Sequence, residues 1–226
     1  MPVDDTSSLP EPSYRGKPAS VRTLEKFGRE QLSAHFFMRD FLYSEIASVH
    51  GLQNIPDDPV LAVQSGRRLA QDLLEPLVAT FGPIVVRSAY RAPAVNEYGQ
   101  RVYKSCSSNE ANRAAHIWDQ RDAAGNMGAS ASVVIPWFAR RYAEGRDWRD
   151  LAWWLYDHLD FHEIQFFPKR AAFNLGWREK PERRIGSFAA PRGNLTAPNG
   201  PPPVPPEARR AAYADFPPFQ GIAYPT

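Results

Sequence analysis

The amino-acid sequence predicts an α+β fold: a small antiparallel sheet with helices packed on it, followed by an extended proline-rich tail. Three observations predict this class. Apolar residues recur at helical spacing after Asp57, a β-favouring run follows Gly82 and Pro83, and two short apolar strands end the central region. Because helices and strands are segregated along the chain, α+β is favoured over a doubly wound sheet.

The individual elements follow from local signals. A short helix is predicted over 20–33, and the longest helix is expected to be capped by Asp57 or Asp58 and kinked or ended by Pro76. Ile84, Val85 and Val86 predict a buried strand. The later elements are a strand over 114–118, helices over 130–144 and 147–159 separated by Gly145, and a strand pair over 162–167 and 171–177.

Composition and charge exclude several functional classes. The 27 basic and 25 acidic residues leave a net charge of +2, too balanced for a nucleic-acid coat or for membrane attraction. Cys106 is the single cysteine, which excludes an intrachain disulfide and a multi-cysteine zinc site. No apolar run reaches the roughly 18 residues that span a bilayer, and no secretory signal is recognised. The expected location is therefore cytoplasmic, with a virion or phage lysis system as the alternative.

The 22 prolines set the predicted domain boundaries. Four lie in residues 1–18 and eleven in 181–226, whereas seven lie between these ranges. We therefore expect a flexible arm over 1–20, a folded domain over 21–188 and an extended tail over 189–226. Aromatic residues alternate with proline in this tail, which suits either a strap over the protein's own or a partner's surface, or an unattached terminus: Tyr213, Phe216, Phe219 and Tyr224.

Four segments, read together, resemble a known family. They are HFFMRDF (35–41), LEPLVATFGP (74–83), SAYRAPAVN (88–96) and LDFHEIQFFPKRAAFNLGW (159–177). In order and spacing they resemble the D-alanyl-D-alanine carboxypeptidase and Hedgehog-type zinc peptidase family over residues 35–178. The resemblance implies that family's fold, in which helices pack on a small antiparallel sheet.

The resemblance also implies a zinc site whose ligands are substituted. The family uses a histidine, an aspartate seven residues later and a histidine on the last strand, with a glutamate as general base. The corresponding positions here hold Asn109, His116, Asn174 and Gln165. Neutral amides are weak zinc ligands, and glutamine cannot take a proton from water. His116 and Gln165 remain the candidate catalytic residues, and no cofactor, zinc included, is favoured.

Arginines near the same motifs indicate an anionic ligand. Arg91 matches the family arginine beside the substrate, and Ser88 opens the same motif. A guanidinium binds carboxylate or phosphate through two hydrogen bonds. The candidate ligand-binding residues are thus Arg91, Ser88, Asn109, Asn174, Arg87 and Arg113. The alternative is that the arginines pair with Asp119, Asp122 or Glu97.

The sequence is compatible with three functions. The first is a non-hydrolytic binder of a peptide, a cell-wall fragment or a small anionic ligand. The second is an active metallopeptidase that uses His116 with Asp119, His158 or His162. The third is a structural or assembly protein whose residues 189–226 bind a protein partner. The basic residues around the last hairpin are diluted by Glu179 and Glu182, so a nucleic-acid partner is not favoured.

Overall fold

The computed structural model describes residues 11–220, so the predictions for residues 1–10 and for Tyr224 lie outside the described residues. The α-helices are α1 (Val21–Gly28), α2 (Glu45–His50), α3 (Pro59–Leu69), α4 (Glu75–Phe81), α5 (Pro93–Tyr98), α6 (Asn109–Asn112), α7 (Pro136–Ala143), α8 (Trp148–His158) and α9 (Pro206–Ala212). The strands are β1 (Val85–Ser88), β2 (Gly128–Val134), β3 (Glu163–Phe166), β4 (Phe173–Arg178), β5 (Arg184–Ser187) and β6 (Gly193–Thr196).

The strands form one six-stranded sheet in the order β1-β2-β4-β3-β5-β6. The predicted α+β class is therefore confirmed, and the strand pair at the end of the central region is the antiparallel hairpin β3–β4. The prediction of a purely antiparallel sheet was wrong, because β3 also pairs with β5 in parallel. A parallel neighbour requires the chain to return first, and β4 together with the loop over 179–183 supplies this return between β3 and β5.

The two faces of the sheet differ in chemistry. Alternation along β2 buries Ala129, Ala131 and Val133 on one face, which packs against α3. Leu175 and Ile164, which are register partners on β4 and β3, are fully buried in the same hydrophobic core. The opposite face carries serine and amide side chains and forms the candidate site described below.

The long helix that begins after Asp57 continues past the proline expected to end it. Asp58 is the cap, since its Oδ1 accepts a hydrogen bond from Leu61 N at 3.0 Å. A π-helical turn, Ala70–Leu74, precedes Pro76, and α4 continues to Phe81. The wider turn lets Glu75 N donate to Ala70 O, so the helix continues although Pro76 has no N–H to donate.

Two local predictions were wrong around the centre of the sheet. Residues 128–134 form strand β2 rather than the start of a helix, and the helix α7 begins only at Pro136. Residues 114–118 form a turn with a single bridge between Arg113 and Ile117 rather than a strand. Ala114 has a φ of 53°, which reverses the chain and prevents extended pairing there.

The prediction of an extended tail over 189–226 also needs correction. Strand β6 and helix α9 lie within it, and α9 begins at Pro206, a position where the missing N–H costs nothing. Phe216 is buried, with its ring 5.1 Å from that of Trp137. Arg209 forms a 2.6 Å ion pair with Asp157 of α8. The described part of the tail therefore packs on the protein's own surface.

Residues 11–20 of the predicted flexible arm also contact the domain. Ser13 N donates a 3.0 Å hydrogen bond to Glu30 Oε1, and the rings of Tyr14 and Phe27 lie 5.9 Å apart.

Candidate functional site

A row of polar side chains crosses the face of the sheet that is turned away from the core. Ser88 of β1 is the register partner of Ser132 on β2, Ser132 that of Asn174 on β4, and Asn174 that of Gln165 on β3. Residues that face each other in register point to the same side of a sheet. The resemblance had singled out three of these four residues independently.

A cavity of about 310 Å³ opens on this face at one end of the row. Its size is at the lower end of the range for small-ligand sites. Of the predicted site residues, His116, Gln165 and Asn174 line it. The other polar lining residues come from the α6 region, from β2, from the β3–β4 hairpin and from the start of β5 with its preceding loop: Ser107, Asn112, Ser130, His162, Glu163, Arg178, Glu182 and Arg184.

His116 is presented to the cavity by the tight turn over 113–118. Two backbone hydrogen bonds fix the turn to its neighbours. Arg91 N, just after β1, donates to His116 O at 2.8 Å, and Ser130 N of β2 donates to Ala115 O at 2.9 Å. The imidazole Nδ1 lies 2.7 Å from Ala89 O, a carbonyl that can only accept a hydrogen bond. Nδ1 therefore carries the proton of the neutral ring.

The Nε2 atom of His116 is consequently a free hydrogen-bond acceptor. It is buried, it has no partner within the described residues, and the residue is only 5% exposed. Burial, with a further contribution from the charge of Arg91, lowers the pKa of His116 to about 3. The ring is thus neutral over the physiological pH range, and none of the described residues uses the lone pair of its Nε2.

Arg178 supplies a matching donor to the same cavity. Its Nη2 donates to Ala114 O at 3.2 Å and its Nη1 lies 3.6 Å from Asp122 Oδ2. Its Nε, in contrast, is buried and has no partner within the described residues. Two residues that line the cavity therefore each hold an unpaired polar atom, the acceptor Nε2 of His116 and the donor Nε of Arg178.

His162, which is 7% exposed, occupies the far side of the cavity with the opposite tautomer. Glu182 N donates to its Nδ1 at 3.2 Å, so the ring proton of the neutral form lies on Nε2. Burial lowers the pKa of His162, and the charge of Arg178 lowers it further. Glu163 is held by a 2.6 Å ion pair with Arg184.

The two amides of the row are already engaged. Ser132 Oγ donates to Asn174 Oδ1. The hydrogen-bonding network orients the Gln165 amide so that its oxygen accepts from Ser187 N at 3.1 Å and Phe188 N at 3.2 Å. Gln165 therefore joins β3 to the end of β5 and keeps no free acceptor oriented for proton transfer.

Asn109 and Arg91 border the cavity without lining it. Asn109 Oδ1 accepts a 2.8 Å hydrogen bond from Asn96 Nδ2. The Arg91 guanidinium lies against Ser88 Oγ, at 3.3 and 3.4 Å, and against Cys106 Sγ, at 3.3 Å. Burial lowers the pKa of Arg91. No carboxylate oxygen of residues 11–220 lies within the 4.0 Å ion-pair distance of this guanidinium, so the predicted pairing with acidic residues is not made.

The remaining predicted residues lie elsewhere. Arg113 donates to Gln120 Oε1 at 3.1 Å and is exposed. Arg87 lines a different cleft, between β1, β2 and α7. Of the three partners suggested for an active enzyme, His162 lines the cavity together with His116. The other two are engaged elsewhere: Asp119 accepts from Asp57 N at 2.7 Å, and His158 stacks 4.7 Å from Trp154. Neither of these side chains lines the cavity.

Sequence reasoning named His162 only as a partner for an active enzyme, and it missed Glu163, Arg178 and Glu182 as members of this site. Glu163 begins the hairpin strand that carries Gln165, His162 directly precedes that strand, and Arg178 ends the strand that carries Asn174. Alternation along these strands was an available signal, since Glu163 and Gln165 are two residues apart. Glu182 had no such signal, because it lies in the loop before β5 and not in a strand whose alternation could place it at the cavity.

Comparison with known proteins adds no relative. No protein-family model matches the chain, and no curated protein or solved structure is significantly similar to it. Within residues 11–220, no group of three or more His, Cys, Asp or Glu side chains is arranged to hold a metal ion. Across the same part of the chain, no helix has the length and apolar character needed to cross a lipid bilayer.

Proposed function

We propose that this protein is a non-hydrolytic binding protein, built on a scaffold similar to the D-alanyl-D-alanine carboxypeptidase and Hedgehog-type peptidases. Its ligand is a peptide, a cell-wall fragment or a small anionic molecule. The observation that supports this most directly is the buried, unpaired Nε2 of His116, a residue that lines the cavity. An unsatisfied buried polar atom costs about 1–3 kcal/mol, which a hydrogen bond from a ligand would recover.

The polar groups around the cavity support a ligand that has both a hydrogen-bond donor and a negative charge. His116 offers an acceptor, whereas Arg178 offers a donor on a guanidinium. Arg91, which borders the cavity, adds a positive charge that no carboxylate of the described residues neutralises within ion-pair distance. Of the two carboxylates that line the cavity, Glu163 is paired with Arg184, and Glu182 is the other. A peptide terminus with N–H groups and a carboxylate matches this combination.

The side chains at the positions of the family's zinc ligands argue against hydrolysis by a bound zinc ion. The three positions that correspond to the family's ligands offer one imidazole nitrogen, on His116, and two neutral amide oxygens, of Asn109 and Asn174, which already accept from Asn96 and Ser132. Amide oxygens are not among zinc's preferred ligands in any case. The residues present therefore do not fit a catalytic zinc centre, and no hydrolytic step is assigned to them.

Calorimetric titration with the dipeptide D-alanyl-D-alanine tests the proposal. The wild-type protein is expected to bind without cleaving it, and His116→Asn, which keeps a donor for Ala89 O but loses Nε2, should bind about fivefold to tenfold more weakly. His50→Asn, outside the cavity, is the matched control. Absence of binding, release of free alanine, or one zinc per purified chain would each overturn the proposal.

A further inference from the structure

A second cleft lies on the same face of the sheet, beyond the polar row. It has a volume of about 650 Å³ and is formed by β1, β2, α7 and the turn between β3 and β4. Val134, which continues the alternation of Ser130 and Ser132 along β2, forms its floor with its register partner Val85. Pro136, Ala139 and Ala143 line it from one face of α7, so its walls are largely apolar. We call it the basic cleft because arginine and lysine side chains also line it.

Four cations surround these apolar walls: Arg87, Arg140, Lys169 and Arg170. No aspartate or glutamate of residues 11–220 is among the lining residues. Within the same part of the chain, none of the four cations has a carboxylate oxygen within the 4.0 Å ion-pair distance. This contrasts with most other arginines of the C-terminal half, such as Arg146, Arg183 and Arg209, which are ion-paired. Four like charges at one cleft repel one another, and a bound anion would relieve that repulsion.

Two local backbone features direct cations into the cleft. The register of β1 against β2 slips between Val86 and Ser88, so Arg87 occupies a β-bulge. The bulge lets Arg87 follow Val85 into the basic cleft while Ser88 keeps its place opposite Ser132. Arg170 has a φ of 60°, in the left-handed region that favours glycine. The turn thus holds an arginine at a position where glycine would be less strained.

We propose that the basic cleft is a binding site for a small organic dianion, in which two negatively charged groups are joined by an apolar part. The cations match the charged groups and the valine, proline and alanine walls match the apolar part. The proposal is independent of the proposed function, because no residue lines both cavities. Either site can fail its test without affecting the other.

The test uses the fluorescent dianion bis-ANS (4,4′-dianilino-1,1′-binaphthyl-5,5′-disulfonate) and a variant with three cations of the cleft removed. The changes, chosen because these side chains are exposed and make no hydrogen bond within the described residues, are Arg140→Ala, Lys169→Ala and Arg170→Gly. The control variant removes the same charge at three exposed positions outside the cleft: Arg22→Ala, Lys180→Ala and Arg192→Ala.

We expect the cleft variant to bind bis-ANS about tenfold more weakly than the wild type, and the control variant to bind within about twofold of it. The wild-type affinity should fall as salt is raised, and the neutral dye N-phenyl-1-naphthylamine should not displace bis-ANS. Because Arg170→Gly relieves an unfavourable φ, the single variant should retain the melting temperature while losing affinity. Equal weakening in both triple variants, or displacement by the neutral dye, would overturn the proposal.

Discussion

The buried neutral state of His116 predicts how stability depends on pH. In the unfolded chain this imidazole takes up a proton near its ordinary pKa of about 6.5. In the folded protein, burial and the charge of Arg91 lower the pKa of His116 to about 3. Between these values the unfolded state binds a proton that the folded state does not bind. Acidification therefore favours unfolding, and stability falls as the pH drops from about 6.5 towards 3.

The size of the effect follows from the width of that window. Each pH unit inside it costs about 1.4 kcal/mol. From pH 7 to pH 5 the chain passes through about 1.5 units of the window, so His116 should remove about 2 kcal/mol of the free energy of unfolding. The residue is 5% exposed, so solvent does not screen the effect appreciably.

Urea unfolding of the wild type and of His116→Asn at pH 7 and pH 5 measures this contribution. Other groups whose protonation changes, His162 among them, are present in both proteins and cancel in the comparison. The groups that face His116 are likewise retained: Arg91, His162, Glu163, Arg178, Glu182 and Arg184. The wild type should lose about 2 kcal/mol more than the variant over this interval. Parallel losses in the two proteins would refute the assignment of a buried, neutral histidine.

Three further predictions concern the framework of the site. Asp157→Asn leaves Arg209 buried without its carboxylate partner and should lower the free energy of unfolding in urea by about 3–5 kcal/mol. The control Asp160→Asn, which removes the exposed partner of Arg183, should change that free energy by less than about 1 kcal/mol. Gly128→Ala brings a Cβ to 2.8 Å from the carbonyl oxygen of Trp177 and should lower the free energy of unfolding by about 2–3 kcal/mol, in contrast to Gly16→Ala, which meets nothing within 4 Å. Gln165→Leu removes the side-chain acceptor of Ser187 N, while Phe188 N keeps its 2.9 Å bond to Phe166 O, and should destabilise by about 1–2 kcal/mol, but Gln165→Glu keeps an acceptor and should lose less than half as much by the same measurement.

The parts of the fold that were predicted correctly depend on local chemistry. Asp58 caps the longest helix because its carboxylate reaches an N–H three residues ahead, within one turn. The β3–β4 hairpin follows from two apolar runs separated by a short turn. That hairpin alone places Gln165 opposite Asn174, so this part of the candidate site could be predicted from sequence.

The parts that were missed depend on contacts between distant segments. Strand β2 has the sequence GASASVV, whose alanines favour a helix, and the period of two between alanine and serine was the weaker signal. It becomes a strand because β1 and β4 pair with it on both sides. Helix α9 was missed because its prolines were interpreted as breakers, although they precede the helix rather than interrupt it.

The properties of His116 favour binding over proton-transfer chemistry. A general acid or base works best when its pKa lies near the working pH, and burial has moved the pKa of His116 down to about 3. Hydrogen-bond acceptance has no such requirement, because a neutral ring with its proton fixed on Nδ1 presents the Nε2 lone pair at any pH above that value. The fold stabilises this tautomer through Ala89 O and leaves Nε2 unpaired, at a cost that a ligand with a donor group would recover. These properties of His116 suit the recognition of a donor group by a fixed acceptor.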